Sequence, residues 1–319
     1  MEPTLQKTLL TSFAKRQNLT GSPAAYRLCN GKTDGLDGVA IDKYGTHCQI
    51  QFFNQKFVEH EQELVQILKN TLSPEFIAIK YRYANRTQIK TALGNNPQTV
   101  VEENGCKFSV DLLDTLNPGL FLDMRNARLL FGEMCEGKEV LNLFAYTCSF
   151  GVYARKNGAL KTVNVDISKK NLNKGKENYA LNNLLPLPGE FFCGSCEEYV
   201  DWAMKKGKTF GAIAIDPPSF AKNGKRTFSV AKDFEPLIAK SVSLLEKEGV
   251  LLLATNYSEW NGKTLLKATK NAFAKNGKKF TIIAHGAQGE DFPGTGQSKE
   301  SSMVWLMVSP INSKSWHRF

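Results

Sequence analysis

No apolar run in this chain is long enough to cross a bilayer; the run at residues 250–254 is the length of a strand. The N-terminus, Met1-Glu2-Pro3-Thr4, lacks the basic-then-apolar layout of a secretory signal. A cytoplasmic protein with no membrane partner is therefore expected. Cysteine is too scattered for a disulfide framework. There are seven, an odd number, at 29, 48, 106, 135, 148, 193 and 196, as reduced thiols are distributed. Cys193-Gly-Ser-Cys196 is a lone CxxC without a second pair, and none of the histidines at 47, 60, 285 and 317 stands at ligand spacing to it. No metal is expected. Internal repeats and low-complexity tracts are also absent, which excludes solenoids and disordered linkers.

What remains is a chain of 319 residues, 42% hydrophobic and 23% charged, able to bury the core of two ordinary domains or one large one. Its formal net charge of +10 favours polyanionic partners, because lysines and arginines that neutralise phosphates release counterions. The charge is spread along the chain, so it makes nucleic acid a candidate partner without establishing one.

Two styles of pattern follow each other. Between about 36 and 112, short strands surround one helix. Strands at 39–42 and 47–53 flank a turn at Gly45, and Leu64, Val65, Leu68 and Leu72 mark a helix stopped by Ser73-Pro74. Strands at 77–81, 98–102 and 107–111 follow, the last two joined by the tight-turn sequence Glu103-Asn-Gly. This predicts a smaller N-terminal α+β domain over 1–115. From about 120, strands at 140–144, 162–165, 190–193, 212–215 and 250–254 alternate with helices at 149–156, 168–182, 196–206, 230–246 and 263–275. Segments 280–284 and 303–308 close the series. Alternation of this kind predicts an α/β, doubly wound, Rossmann-like parallel sheet over 116–319, with any ligand at the carboxyl ends of its strands.

Motifs at strand ends therefore carry the chemistry. The first strand turns at Ala145-Tyr-Thr-Cys-Ser-Phe-Gly151, and the second ends at Val165-Asp166. An acid there suits a ribose diol. The turn holds one glycine and no GxGxxG, which disfavours a pyrophosphate and hence a nicotinamide cofactor; adenosylmethionine has no phosphate to bind. Asp166 could alternatively cap the helix that starts near Ser168. The fourth strand delivers Asp216-Pro217-Pro218-Ser219-Phe220. Two prolines fix an extended turn and leave carbonyls free for a planar substrate, on which Phe220 could stack; as punctuation alone, Pro-Pro is common.

Asn117-Pro-Gly-Leu-Phe-Leu-Asp-Met-Arg-Asn-Ala-Arg128, Leu141-Asn-Leu-Phe-Ala-Tyr-Thr147, Val165-Asp-Ile-Ser168 and Asp216-Pro-Pro-Ser-Phe220 together resemble the large-subunit ribosomal RNA methyltransferase I/K family. Tyr26-Arg-Leu-Cys-Asn-Gly31, Asp34-Gly-Leu-Asp-Gly-Val-Ala-Ile-Asp42 and Glu102-Glu-Asn-Gly-Cys-Lys-Phe108 are similar to its middle domain, and Asp291-Phe-Pro293 to its late Asp-His-Pro, with Phe292 in place of histidine. The resemblance spans roughly residues 25–309 and does not include the family's N-terminal PUA domain.

It implies a class I fold, S-adenosylmethionine as cofactor, and RNA, in particular ribosomal RNA, as partner. The first domain would contribute to RNA binding; monomer and homodimer both stay open. Phe121, Asp123 and Arg125 would border the cofactor, Arg125 as bidentate partner of its carboxylate, while Arg128 could instead form a surface ion pair. Asn142, Phe144, Tyr146 and Thr147 would line the methionine end and Asp166 would hold the ribose. Ile167, Ser195, Cys196, Asp216 and Pro217 would complete the cofactor set, with Pro218 and Phe220 on the substrate. Two departures leave a rival open, a ribosome-associated factor without turnover: Cys148 replaces a glycine, and Ser195 replaces an acid that would bind the adenine amine.

Methylation at a pyrimidine C5 requires a cysteine thiolate that adds to C6. In the cytosine-methylating branch it follows the fifth strand, where this chain has Asn256, and 216–220 holds no cysteine. An asparagine there resembles the guanine-N7 branch, whose lone pair needs only alignment. Asp216 and Asn256 are accordingly the expected catalytic residues, orienting the base. Transfer to an exocyclic amine and, less in keeping with these residues, to cytosine C5 are the alternatives; Asn256 could also simply satisfy local backbone.

Overall fold

Alternating apolar residues between turn-forming residues lead the first hundred residues into strands, and longer 3.6-period stripes lead the rest into helices between buried strands. The computed structural model describes residues 4–21, 23–83, 87–223, 226–293 and 303–311. The chain folds as two units, one of 1–125 with 288–301 and the other of 126–287 with 302–319. Among the described residues no helix is long and apolar enough to cross a membrane.

The first unit contains α1 (Leu5–Ala14), β1 (Ala25–Asn30), β2 (Val39–Tyr44), β3 (His47–Phe52), α2 (Glu61–Leu72), β4 (Phe76–Tyr81), β5 (Gln88–Leu93), β6 (Gln98–Glu103) and β7 (Cys106–Asp111). Strands β1 to β5 form one sheet in chain order. All neighbours run antiparallel except β3 and β4, which the α2 crossover makes parallel. Leu9 and Phe13 of α1 and Leu64 and Leu68 of α2 share the core with Ile41, Ile50 and Ile79. The β6–β7 hairpin turns at Asn104 and Gly105, both with positive φ (48° and 74°), as an Asn-Gly pair allows.

Most of the buried charge in this unit is paired, since an unpaired buried ion costs several kcal/mol; buried Lys80 instead donates to the carbonyls of Asp114 and Leu116. Arg16 donates to Asp34 at 2.6 Å and Arg27 to Asp42 at 2.7 Å. Asp291 accepts the Arg27 amide at 2.9 Å and both terminal nitrogens of Arg125, at 3.3 and 3.1 Å. The next residue, Phe292, lies under the Arg27 guanidinium, 4.5 Å from it. A phenylalanine can thus occupy the histidine's place in Asp-His-Pro by offering a ring face to a cation.

The second unit follows α3 (Arg125–Glu133), which begins at the boundary. It runs β8 (Glu139–Leu143), α4 (Ser149–Lys156), β9 (Lys161–Asp166), α5 (Lys169–Leu181), β10 (Phe191–Cys193), α6 (Cys196–Lys205), β11 (Phe210–Ile215), β12 (Phe220–Asn223), β13 (Arg226–Ser229), α7 (Val230–Leu244), β14 (Leu245–Thr255), α8 (Gly262–Lys275), β15 (Phe280–Gly286) and β16 (Val304–Pro310). The sheet order is β10-β9-β8-β11-β14-β16-β15, so strand order reverses between β8 and β11. Strands β10, β9, β8, β11 and β14 are parallel, but β16 runs antiparallel to both β14 and β15. This corrects the all-parallel expectation: a strand that returns without a crossover helix must run the other way.

Cys148 begins α4 in the left-handed region, φ 62°. Its buried thiol points at α5, where a Cβ on Gly175 would lie 2.3 Å from Sγ. Gly175 is the space that lets a cysteine stand at the turn. Gly175→Ala should therefore cost about 1–3 kcal/mol by overpacking, despite about 1 kcal/mol of gained helix propensity. In a Cys148→Gly background the same change should become neutral or stabilising. Urea denaturation of the four proteins in the cycle measures this; equal effects in both backgrounds would contradict the contact.

Candidate active site

Register brings the strand ends level. Leu143 pairs with Val165 and with Ile215, Ile215 with Leu253, and Asp166 with Cys193. Phe144, Asp166, Asp216 and Ala254 therefore lie level in one row, at the carboxyl edge where strand order reverses. Ligands of doubly wound sheets bind at such an edge.

The β8 turn is tied to this row by backbone and carboxylate. Phe144, Tyr146 and Cys148 all have positive φ (56°, 48° and 62°), a conformation costing non-glycine residues of order 1–3 kcal/mol each. Asp166 holds the turn in place: Oδ2 accepts the Tyr146 amide and Oδ1 the Ser168 amide, each at 2.8 Å. Ala145 N–H donates to Val165 carbonyl at 2.9 Å, and Phe144 N–H to Cys196 Sγ at 3.1 Å. The α5 cap is Ser168, whose Oγ accepts the Asn171 amide. Capping is thus not the role of Asp166.

The Asp166 side chain is 8% exposed. Burial is the largest influence on it and raises its pKa, against the amides of Ser168, Tyr146 and Asn171, which lower it. Oδ2 keeps acceptor capacity after its amide bond, and Oδ1 has as its second donor only the long 3.4 Å bond from the Asn171 side chain, which a diol hydroxyl could replace. Ile167 beside it is 41% exposed and offers apolar surface to a planar ring. These residues fit the ribose and adenine of an adenosyl group and present no phosphate cradle.

Other residues expected to bind cofactor are placed behind this row or elsewhere. Asn142 is buried and its amide donates to Asn164 Oδ1 at 2.9 Å, within a polar cluster that includes Tyr179. Thr147 is 1% exposed and its carbonyl accepts the Asn178 amide. Ser195 accepts the Glu198 amide at 3.1 Å and caps α6. The Cys196 thiol is buried between Phe144 N–H and the Val165 carbonyl, and burial holds its pKa far up. Phe121, Asp123 and Arg125 belong to the first unit. The Arg125 guanidinium is bidentate to Asp291 and donates to the Ala25 carbonyl, so a ligand carboxylate would have to share it with Asp291 or displace it. Arg128 is 1% exposed, which removes the surface ion pair.

At the β11 end Pro217 is buried and Pro218 exposed, and Phe220 is 63% exposed. Ser219 Oγ donates to Asn256 Oδ1 at 3.2 Å, and the Phe220 ring stands edge-on to Tyr257 at 6.4 Å. The turns after β11 and β14 are thus joined. The hairpin β12–β13 was not expected from sequence, although the Asn-Gly pair at 223–224 is a hairpin signal. It brings Phe228 to 4.9 Å from Phe144. Tyr257 and Phe228 are residues of this edge that spacing alone did not single out.

Comparison with known proteins agrees with this geometry. The S-adenosylmethionine-dependent methyltransferase family model matches residues 58–288. YwbD of Bacillus subtilis (strain 168), whose name assigns it to the ribosomal RNA large subunit methyltransferases, is 34% identical over 277 residues, 84% of this chain and 70% of its own. Ribosomal RNA large subunit methyltransferase I of Aeromonas salmonicida (strain A449) is 31% identical over 290 residues, 88% of this chain and 72% of its own. The crystal structure of SMU.776 complexed with SAH superposes with a TM-score of 0.88 at 28% identity, covering 98% of this chain and 83% of that one. This chain belongs to the S-adenosylmethionine-dependent methyltransferase family. It is an enzyme, and S-adenosylmethionine is its cofactor.

Asp166→Asn keeps one acceptor for the turn amides and removes the charge. It should weaken adenosylmethionine binding roughly 10–100-fold, the worth of a hydrogen bond to an ionised acceptor. The raised carboxyl pKa sets the sign with pH: diol hydroxyls bind the ionised form, so affinity falls as pH drops through that pKa. Calorimetric titration across pH checks both, and an acid limb retained by the asparagine variant would assign it to another group.

Proposed function

We propose that this enzyme methylates large-subunit ribosomal RNA at a guanine N7. The names of its relatives and the +10 charge support the RNA substrate. The observation that carries the choice of atom is the joined edge of β11 and β14, where Ser219 meets Asn256 beside Phe220 and Tyr257, and no cysteine is present.

The sulfonium of the cofactor supplies an electrophilic methyl carbon. The N7 lone pair forms the new N–C bond as the C–S bond breaks, and the positive charge passes from sulfur to the purine. No proton leaves, so the protein need not provide a base. What it must provide is alignment in a dry pocket. Phe220 and Tyr257 would stack and border the base, Pro218 would limit its depth, and Asp216 and Asn256 would fix its rotation through its polar edge. Cytosine C5 chemistry finds no support here. Cys148 and Cys196 are buried thiols held far above the usual range by desolvation. Cys193, the exposed one, lies on β10 at the sheet's far side from β14. The first unit is read as contributing to the RNA grip, and the cytoplasm as the place of reaction.

Two experiments test this. Mass-spectrometric mapping of 23S ribosomal RNA from cells lacking the gene should show loss of one 7-methylguanosine; loss of a 5-methylcytidine, or an unchanged profile, contradicts the proposal. Asn256→Ala should lower kcat by roughly 10–100-fold, the scale of a misaligned reactant, with adenosylmethionine affinity unchanged. An unaltered kcat would leave Asn256 a local backbone partner only.

A further inference from the structure

We propose that the outer face of α8 is the track on which the RNA strand lies as it leaves the target base; this rests on the RNA-methylating function proposed above. Between Asn261 and Gly289 the chain has no aspartate or glutamate but six lysines, at 263, 267, 270, 275, 278 and 279. With 3.6 residues per turn, Lys263, Lys267 and Lys270 fall within an arc of about 60°. All three are exposed. The opposite face of the helix, with Leu265, Ala268 and Phe273, is buried.

Stability does not explain this stripe. Lys263 is in the first turn of α8, where a cation opposes the helix dipole at a cost of about 0.3–1 kcal/mol. The lysines with structural roles are different ones. Lys275 pairs with Glu235 at 3.0 Å, and Asn271 donates to the same carboxylate. Glu259, just before the helix, engages the Tyr257 hydroxyl. Lys278 turns inward to the carbonyls of Val242 and Leu245.

Position links the stripe to the chemistry. β14 ends at Thr255, Asn256 and Tyr257 face the site, and Trp260 N–H bonds back to the Tyr257 carbonyl immediately before α8 starts. The stripe then extends about 10 Å down the helix, at 1.5 Å per residue. At its far end Lys270 and Lys279 rim a groove of about 700 Å³ with Leu266, Phe280 and Ile282 on its lining. An apolar floor with a basic rim suits an unpaired nucleotide, ring on the floor and phosphate on the rim.

The test uses the full chain and a labelled, mixed-sequence single-stranded RNA. In K263Q/K267Q/K270Q the slope of log Kd against log salt should become shallower by about 2, at about 0.7 per lost phosphate contact on a single strand. Adenosylmethionine affinity should not change, and the triple arginine variant should restore the slope. A slope equal to that of the unaltered protein overturns the track while leaving RNA methylation standing. The same slope combined with lost binding to polyglutamate would assign the face to an acidic protein and also overturn it. An unaltered protein that does not bind RNA overturns the RNA reading and the track with it.

Discussion

One buried carboxylate holds the site edge together. Asp166 ends β9, accepts the Tyr146 amide from one turn and the Ser168 amide from another, and so fixes two loops around a single charge. The turn it fixes carries three left-handed residues without a glycine among them. Such strain persists only where the surroundings over-determine it. Here they do so through Asp166, the Ala145–Val165 bond and the Cys196 thiol under Phe144. A turn held this way leaves Asp166 desolvated yet still able to accept, which is the condition a ribose diol would require.

Much of this was legible in the sequence because it is local. Strand–turn–helix succession located the edge, Ser168 was readable as a cap, and Asp166 and Asp216 were readable as strand-end acids. The pairing of Ser219 with Asn256 was not, since the residues are 37 apart and a hydrogen bond of that span depends on sheet register. The β12–β13 hairpin was hidden because only four residues form each strand. In the first unit, β5 is not legible in the sequence because none of its residues is fully buried and they show no apolar alternation. Helix α1 carries a Leu5, Leu9, Phe13 stripe, too short a signal to define a helix without its packing partners.

Residues that depart from the family pattern illustrate how context absorbs change. Cys148 in place of a glycine directs its thiol at Gly175, away from the row of strand ends. Phe292 in place of a histidine stacks under Arg27. Ser195 in place of an acid caps α6, and its hydroxyl hydrogen stays available. Arg125 teaches the opposite lesson. Its motif suggested a carboxylate ligand, and the structure supplies one from the chain itself, Asp291. Type and spacing identified the chemistry of that side chain; the pairing with Asp291, 166 residues away, depends on tertiary structure.

The central claim is that Phe144, Asp166 and Asp216 edge a single pocket shaped for an adenosyl sulfonium. Backbone amide hydrogen exchange, with and without saturating S-adenosylhomocysteine, tests it most directly. The account predicts slowed exchange confined to the turns at 144–148, 166–168 and 216–219 together. Protection of one of these turns without the others, or protection elsewhere only, would contradict it.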